Sequence, residues 1–296
     1  MVTANSQPQV QVAPAPLPPG PPPLELLTPF ERFNVRLMDL LERHAVPATE
    51  RYLRTWGNFW MYFVTSRMLT GYGYERLAGV PTDAPILLVS NHRSYFDLYV
   101  LAVLLNRFTR LHQPMFCPVR ADFFYEHVAG TFLNLAVGAG RMYPPVFREP
   151  SKAEFNKWSL AHLGELLRRG NVVVGFHPEG RRNKNANPYE RLPAQPGVGK
   201  LVMDSWPVVI PVFINGFTND FLGDVKANFQ RKKRVLAVFG APIDLTPFRG
   251  MSNRLASHKR IADRLLSVVY DELGAEERRI RSSLPHLPLD FEMPDA

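Results

Sequence analysis

Ile86-Leu87-Leu88-Val89-Ser90-Asn91-His92-Arg93-Ser94-Tyr95-Phe96-Asp97 runs from an unbroken apolar stretch through a polar turn into a helical pattern. Ile86 to Val89 reads as a buried strand and Ser94 to Leu105 as the helix that follows it. Downstream the texture repeats. Met115 to Val119 is a short strand and Val128 to Val137 a short helix. Ser151 and Glu154 have capping-box spacing, Gly170 supplies the matching stop, and Phe155, Trp158, Leu163, Leu166 and Leu167 form the apolar stripe between them. Val172 to Gly175, Val208 to Ile214 and Val235 to Phe239 are valine-rich strand candidates, and a last helix is expected from Leu255 to Leu273. This alternation predicts an α/β fold: a mixed, mostly parallel sheet flanked by helices on both faces, preceded by an N-terminal amphipathic helical pair.

Upstream, residues 1–28 form a proline-rich tail. Its prolines remove backbone donors and fix φ, so an extended or disordered segment is expected. Residues 29–72 are read as a helical membrane-docking segment. Thr28, Pro29 and Glu31 make a capping signature, and Phe33, Leu37, Leu40 and Leu41 recur at helical spacing. A second helix is expected from Tyr52 to Leu69. Its rings (Tyr52, Trp56, Phe59, Trp60, Tyr62 and Phe63) and flanking Arg51, Arg54 and Arg67 suit the lipid headgroup region, although arginines also flank ordinary buried helices. Residues 73–275 form the α/β domain and 276–296 a C-terminal tail.

The 296 residues hold 35 Lys and Arg against 27 Asp and Glu, a formal net charge of +8. The excess favours anionic partners without choosing among phosphate, acidic lipid and nucleic acid. Cys117 is the single cysteine, so no disulfide forms within the chain, and its apolar neighbours predict a buried, inert thiol. The eight histidines show no ligand spacing, so no metal is expected. The N-terminus lacks a secretory pattern, and no stretch reaches the roughly 18–20 apolar residues of a spanning helix. A membrane-bound form is therefore expected to lie on the bilayer rather than cross it.

Several motif readings fail. Gly71-Tyr72-Gly73 and Gly138-Ala139-Gly140 lack the third glycine of a dinucleotide loop. Gly197-Val198-Gly199-Lys200 continues with Leu201 where a phosphate loop needs Ser or Thr. There is no Gly-x-Ser-x-Gly elbow. The segment after the first strand remains. A turn there could return the Asp97 carboxylate to the His92 imidazole, fixing its tautomer and freeing the other nitrogen as a base. With no nucleophile beside it, His92 would activate a substrate hydroxyl. On spacing alone a polar loop, with Asp97 merely favouring a helix N-terminus, is the plainer reading. A second segment, Gly175-Phe176-His177-Pro178-Glu179-Gly180-Arg181-Arg182-Asn183-Lys184, also follows a strand. There Gly180 permits close backbone approach, and Arg181, Arg182 and Lys184 gather positive charge suited to phosphate.

Taken in order, Asn91-His92-x-Ser94-x-x-Asp97 and Pro178-Glu179-Gly180-x-Arg182 resemble the glycerolipid (lysophospholipid) acyltransferase family over roughly residues 50–245. The resemblance implies that His92 is the general base and Asp97 its orienting partner. It further implies that Glu179, Gly180 and Arg182, with Arg120, hold the acceptor. Arg148 or Arg141 would fill a block that is stretched here. Arg181, Asn183 and His177 depart from the family's usual Thr, Ser and aromatic residue, which puts acceptor identity in question more than chemistry. The implied activity is transfer of a fatty acyl group from acyl-CoA or acyl-carrier protein to a glycerophosphate or lysophospholipid hydroxyl, as in phospholipid biosynthesis. No covalent intermediate and no cofactor are implied. The implied setting is the cytoplasmic face of a membrane with anionic lipids, and nucleic acid is not a partner. An inactive lipid-binding scaffold and an acyl thioesterase are the competing classes.

Overall fold

A computed structural model describes residues 19–218 and 220–285. Among the described residues eight strands occur in chain order: β1 (Leu69–Tyr72), β2 (Ile86–Ser90), β3 (Met115–Phe116), β4 (Val119–Arg120), β5 (Pro145–Val146), β6 (Val173–Phe176), β7 (Val208–Asn215) and β8 (Val235–Phe239). Six of them form one sheet in the order β1-β8-β7-β2-β6-β3, while β4 and β5 pair separately. All neighbours in the large sheet are parallel except β7 and β8. The mixed, mostly parallel sheet is the one the sequence predicts.

Every residue of β2 is buried. Its side chains alternate between two cores: Leu87 and Val89 pack with Leu163, Val198 and Ile261, whereas Ile86 and Leu88 pack with Val100, Leu101 and Leu104. A strand covered on both faces has no polar side, which is why its sequence shows a continuous apolar run. A third, smaller core joins the helix Pro29–His44 to Tyr125, Tyr143, Phe155 and Trp158.

The Thr28 capping box forms, with Thr28 N donating to Glu31 Oε2 at 2.9 Å. The Ser151 box does not: a 3-10 turn at Pro150–Lys152 leads into the helix Ala153–Arg169, whose N-cap is Lys152 without a side-chain bond. The helix expected over 52–69 is part of a longer run, Val46–Tyr52, a π-helical turn Leu53–Gly57, and Asn58–Thr65; Leu69 already belongs to β1. The proline-rich segment is ordered where it is described. Trp158 Nε1 donates to the Gly20 carbonyl at 2.8 Å, Leu24–Leu26 form a 3-10 turn and Leu27 is buried; residues 1–18 lie outside the described residues. At the other end the last helix continues through a π-helical stretch to Ala275–Ser283, so helix extends into the segment read as a C-terminal tail, with Glu277 fully buried. Among the described residues no helix is long and apolar enough to cross a membrane.

Candidate active site

Parallel pairing sets the site. β2 and β6 run side by side with Val89 opposite Phe176, so the chain leaves both strands at the same edge. His92 follows β2, and His177 and Glu179 follow β6. Asn91, wholly buried, anchors the exit: its side chain donates to the Ile214 carbonyl and accepts from the Ile214 amide, both at 2.8 Å.

The turn beyond Asn91 closes on one atom. Asp97 Oδ2 accepts from the amides of Arg93 and Ser94, each at 2.8 Å, and lies 3.2 Å from His92 Nδ1. Asp97 opens the helix Asp97–Phe108 and is 1% exposed. Burial pushes its carboxyl up to about 6, against the opposing pull of His177 and the two amides. Burial, with the charge of Arg182, pushes His92 down to about 3. The imidazole therefore stays unprotonated at neutral pH, and a carboxylate on Nδ1 leaves Nε2 as the proton acceptor.

Glu179 is turned into the protein. Its Oε2 accepts from the His92 amide at 2.9 Å, and its Oε1 accepts from the Tyr270 hydroxyl at 2.9 Å, Leu192 N at 3.2 Å and Asn183 Nδ2 at 3.3 Å. It is 1% exposed and does not line the cavity described below. With both oxygens bonded inside the protein, Glu179 braces the His92 backbone. Asn183 tightens the same junction, its amide donating to the His92 carbonyl at 2.7 Å, and Arg93 Nη1 donates to the carbonyls of Asn183 and Asn185. Sequence reading missed Tyr270 and Asn183 as supports. Tyr270 lies in the last helix, where no local motif marks it.

His92 lies on the wall of a cavity of about 610 Å³. Leu53, Trp60, Met61, Leu98, Phe123 and Val137 are among its apolar walls, and Arg120, Arg181 and Arg182 are polar contributors to the same lining. Arg182 stacks on Tyr95, its Cζ 3.9 Å from the ring centroid and its Nη2 donating to the hydroxyl at 2.8 Å. Gly180 also lines the cavity at φ +65°, and a side chain there would press on Gln195. Arg120 pairs with Asp122. Arg148 does not reach the cavity. It is 67% exposed and lies 3.7 Å from Asp122, so Arg141 is the one of the two alternatives that lines the wall. Arg141 is buried and largely engaged, bonding Val46, Thr49 and Glu50. Cys117 also lines the cavity, and burial pushes its thiol up to about 12, an inert state. A larger open groove of about 1250 Å³ runs past Arg76, Asp244, Arg260 and Arg279 and contains none of the motif residues.

His92, Asp97 and His177 bring potential ligand atoms within 4.8 Å of one another. Their geometry does not suit an ion. The two imidazoles are stacked at 3.9 Å with planes 7° apart, and a metal must lie near the plane of each ring it binds. Two planes stacked face to face share no such point. In the second acidic cluster, Glu31 and Glu149 already hold a cation, the ammonium of Lys152 at 2.6 and 3.0 Å.

Residues 73–215 match the family model described as Acyltransferase. The fold is similar to that of the 1-acyl-sn-glycerophosphate (LPA) acyltransferase PlsC from Thermotoga maritima, at 17% sequence identity. The match has a TM-score of 0.52 and covers 86% of this chain and 89% of that one. At that identity the likeness is one of fold.

Proposed function

We propose, from the acyltransferase-family segment at residues 73–215 as premise, that the chain moves a fatty acyl group from a thioester, acyl-CoA or acyl-carrier protein, to a hydroxyl of a glycerophosphate or lysophospholipid. One observation carries this reading. A neutral imidazole held by a buried carboxylate faces a cavity that combines apolar walls for a chain with guanidiniums for a phosphate. In the step, His92 Nε2 takes the acceptor O–H proton as that oxygen bonds to the thioester carbonyl carbon. The C–S bond then breaks, and the leaving sulfur recovers the proton from His92. Asp97 offsets the charge on the transient imidazolium. Arg182 and Arg120 bind the acceptor phosphate, with Arg181 beside them. No step requires a metal or redox cofactor.

The same reading places the chain peripherally on the cytoplasmic face of a membrane containing anionic lipids. Trp56, Phe59 and Phe63 are each more than half exposed along the helical run 46–65, and Val128, Phe132 and Leu133 are exposed on the helix Val128–Gly138. Tyr52 ties the two helices, its hydroxyl donating to the Ala136 carbonyl at 2.6 Å. Arg51 and Arg54 are exposed along the first of these helices and Arg67 in the turn that follows it. Trp60 and Met61 face inward and line the cavity, so this helix is both docking surface and tunnel wall. Serine at Trp56, Phe59 and Phe63 together is expected to weaken binding to anionic liposomes about tenfold or more, given the apolar area withdrawn from lipid. Full retention in sedimentation would remove this surface from the proposal.

Thiol release from a long-chain acyl-CoA, with and without lysophosphatidic acid, tests the reaction. Acceptor-dependent release supports transfer, release without acceptor indicates a thioesterase, and no release with any donor or acceptor leaves a lipid-binding scaffold. Arg182→Ala is expected to raise the KM for the phosphorylated acceptor about tenfold, the order of one charge-assisted hydrogen bond, with donor KM little changed. Equal rises for both substrates would move Arg182 out of the acceptor site.

A further inference from the structure

His177 stands where the resembled family has an aromatic residue, and nothing in the proposed chemistry uses it. Its ring lies flat on that of His92, 3.9 Å between centroids and 7° between planes. Its own orientation is fixed from below: Nδ1 is 3.1 Å from the Ser90 carbonyl oxygen and 3.2 Å from Ser90 Oγ. A carbonyl only accepts, so the proton of His177 resides on Nδ1. Ser90 ends β2 and is fully buried, which makes the ring an extension of the sheet edge. His177 also lines the cavity beside His92.

His92 needs such a support. The 3.2 Å contact of Nδ1 to Asp97 fixes one edge of the ring, and a contact at one edge resists tilt about its own axis poorly. A flat neighbour removes the tilt. It also offers a neutral aromatic face to the imidazolium formed when His92 accepts a proton. Burial and the neighbouring His92 keep His177 itself uncharged, so it does not compete for that proton.

We propose that His177 is a positioning residue that holds the His92 ring in its reactive plane by face-to-face stacking, with Ser90 as its anchor. The inference rests on the acyl-transfer reading for its kinetic arm alone. In that arm, His177→Ala lowers kcat about tenfold with KM within about twofold, the signature of a group acting in the transition state. His177→Phe keeps the stack and restores kcat to within about threefold of wild type. A spectroscopic arm needs no turnover. The ring-proton resonances of His92, assigned by their absence in His92→Gln protein, should lie upfield in wild type and His177→Phe relative to His177→Ala. Matching His92 shifts in all three proteins would overturn the proposal, as would a His177→Phe enzyme as impaired as His177→Ala. Melting curves identify loss of fold; if His177→Ala does not fold, His177→Leu, which fills the space without an aromatic face, takes its place with the same expected outcomes. Absence of transfer by the wild type with any donor, alongside the upfield shift, would sink the functional reading and leave the stacking role standing.

Discussion

Alanine at position 92 will lower acceptor-dependent thiol release by about 10²–10⁴-fold, the range associated with a positioned general base. The fold should survive, because the supports of this loop are main-chain contacts. Glu179 accepts from the His92 amide, Asn183 donates to the His92 carbonyl, and Asp97 accepts from Arg93 and Ser94. None of these needs the imidazole. Liposome binding should also persist, since the exposed aromatics belong to other elements. The wild-type rate should fall as pH drops through about 6. A carboxyl whose value is raised to about 6 is charged above it and neutral below, and neutral Asp97 no longer orients His92 or offsets its charge. The imidazole, held down near 3, remains a free base across that window. The profile therefore reports the pair rather than histidine alone. A variant keeping more than roughly a tenth of the wild-type rate would rule out His92 as the base.

Gly199→Ala will destabilise the chain by about 3 kcal/mol, the upper end for overpacking a tight contact. The helices Gly197–Ser205 and Leu255–Ser267 meet with Gly199 directly against the backbone of His258, where a Cβ would overlap the carbonyl oxygen. A backbone carbonyl cannot turn aside as a side-chain tip can. Around the contact, Val198, Leu201, Val202, Ile261 and Leu265 are fully buried in the core that underlies β2 and β6, so separating the helices opens a cavity instead of relieving the clash. For a chain of this size the loss corresponds to a melting temperature lower by about 6–12 °C. An unchanged melting curve would mean that the helix pair slides freely and is not close-packed at this point.

Both effects bear on how much could be read before the structure. β2 was legible because two cores bury it and leave no polar residue in the run. β1 was not. It is a short edge strand, Leu69 to Tyr72, containing Thr70 and Gly71 and preceded by an aromatic helical stretch, and it becomes a strand only through its partner β8. The Ser151 box failed for a local reason: Pro150 begins a 3-10 turn, so the α-helix starts after the capping position. At the site, spacing alone favoured a plain polar loop for His92 and Asp97; the second motif and the resemblance pointed to their contact, and the structure places them 3.2 Å apart. The bracing by Glu179 was hidden because its partners His92 and Tyr270 lie 87 and 91 residues away and reach it only after folding. The choice between Arg141 and Arg148 likewise depended on which side of a loop faces inward, a property with no periodicity to betray it.

The turn between His92 and Asp97 makes distance along the chain a mechanical quantity. A single carboxylate oxygen holds three nitrogens, two from the backbone and one from the imidazole. Adding or removing one residue would carry that oxygen out of reach of at least one of them, because the helix fixes where the carboxylate begins and Asn91 fixes where the turn starts. The side chains of Arg93 and Tyr95 serve other contacts, Arg93 with the Asn183 and Asn185 carbonyls and Tyr95 with Arg182. Relatives that share this chemistry should therefore hold the length of the gap nearly constant, because the closure depends on main-chain spacing between its two fixed ends.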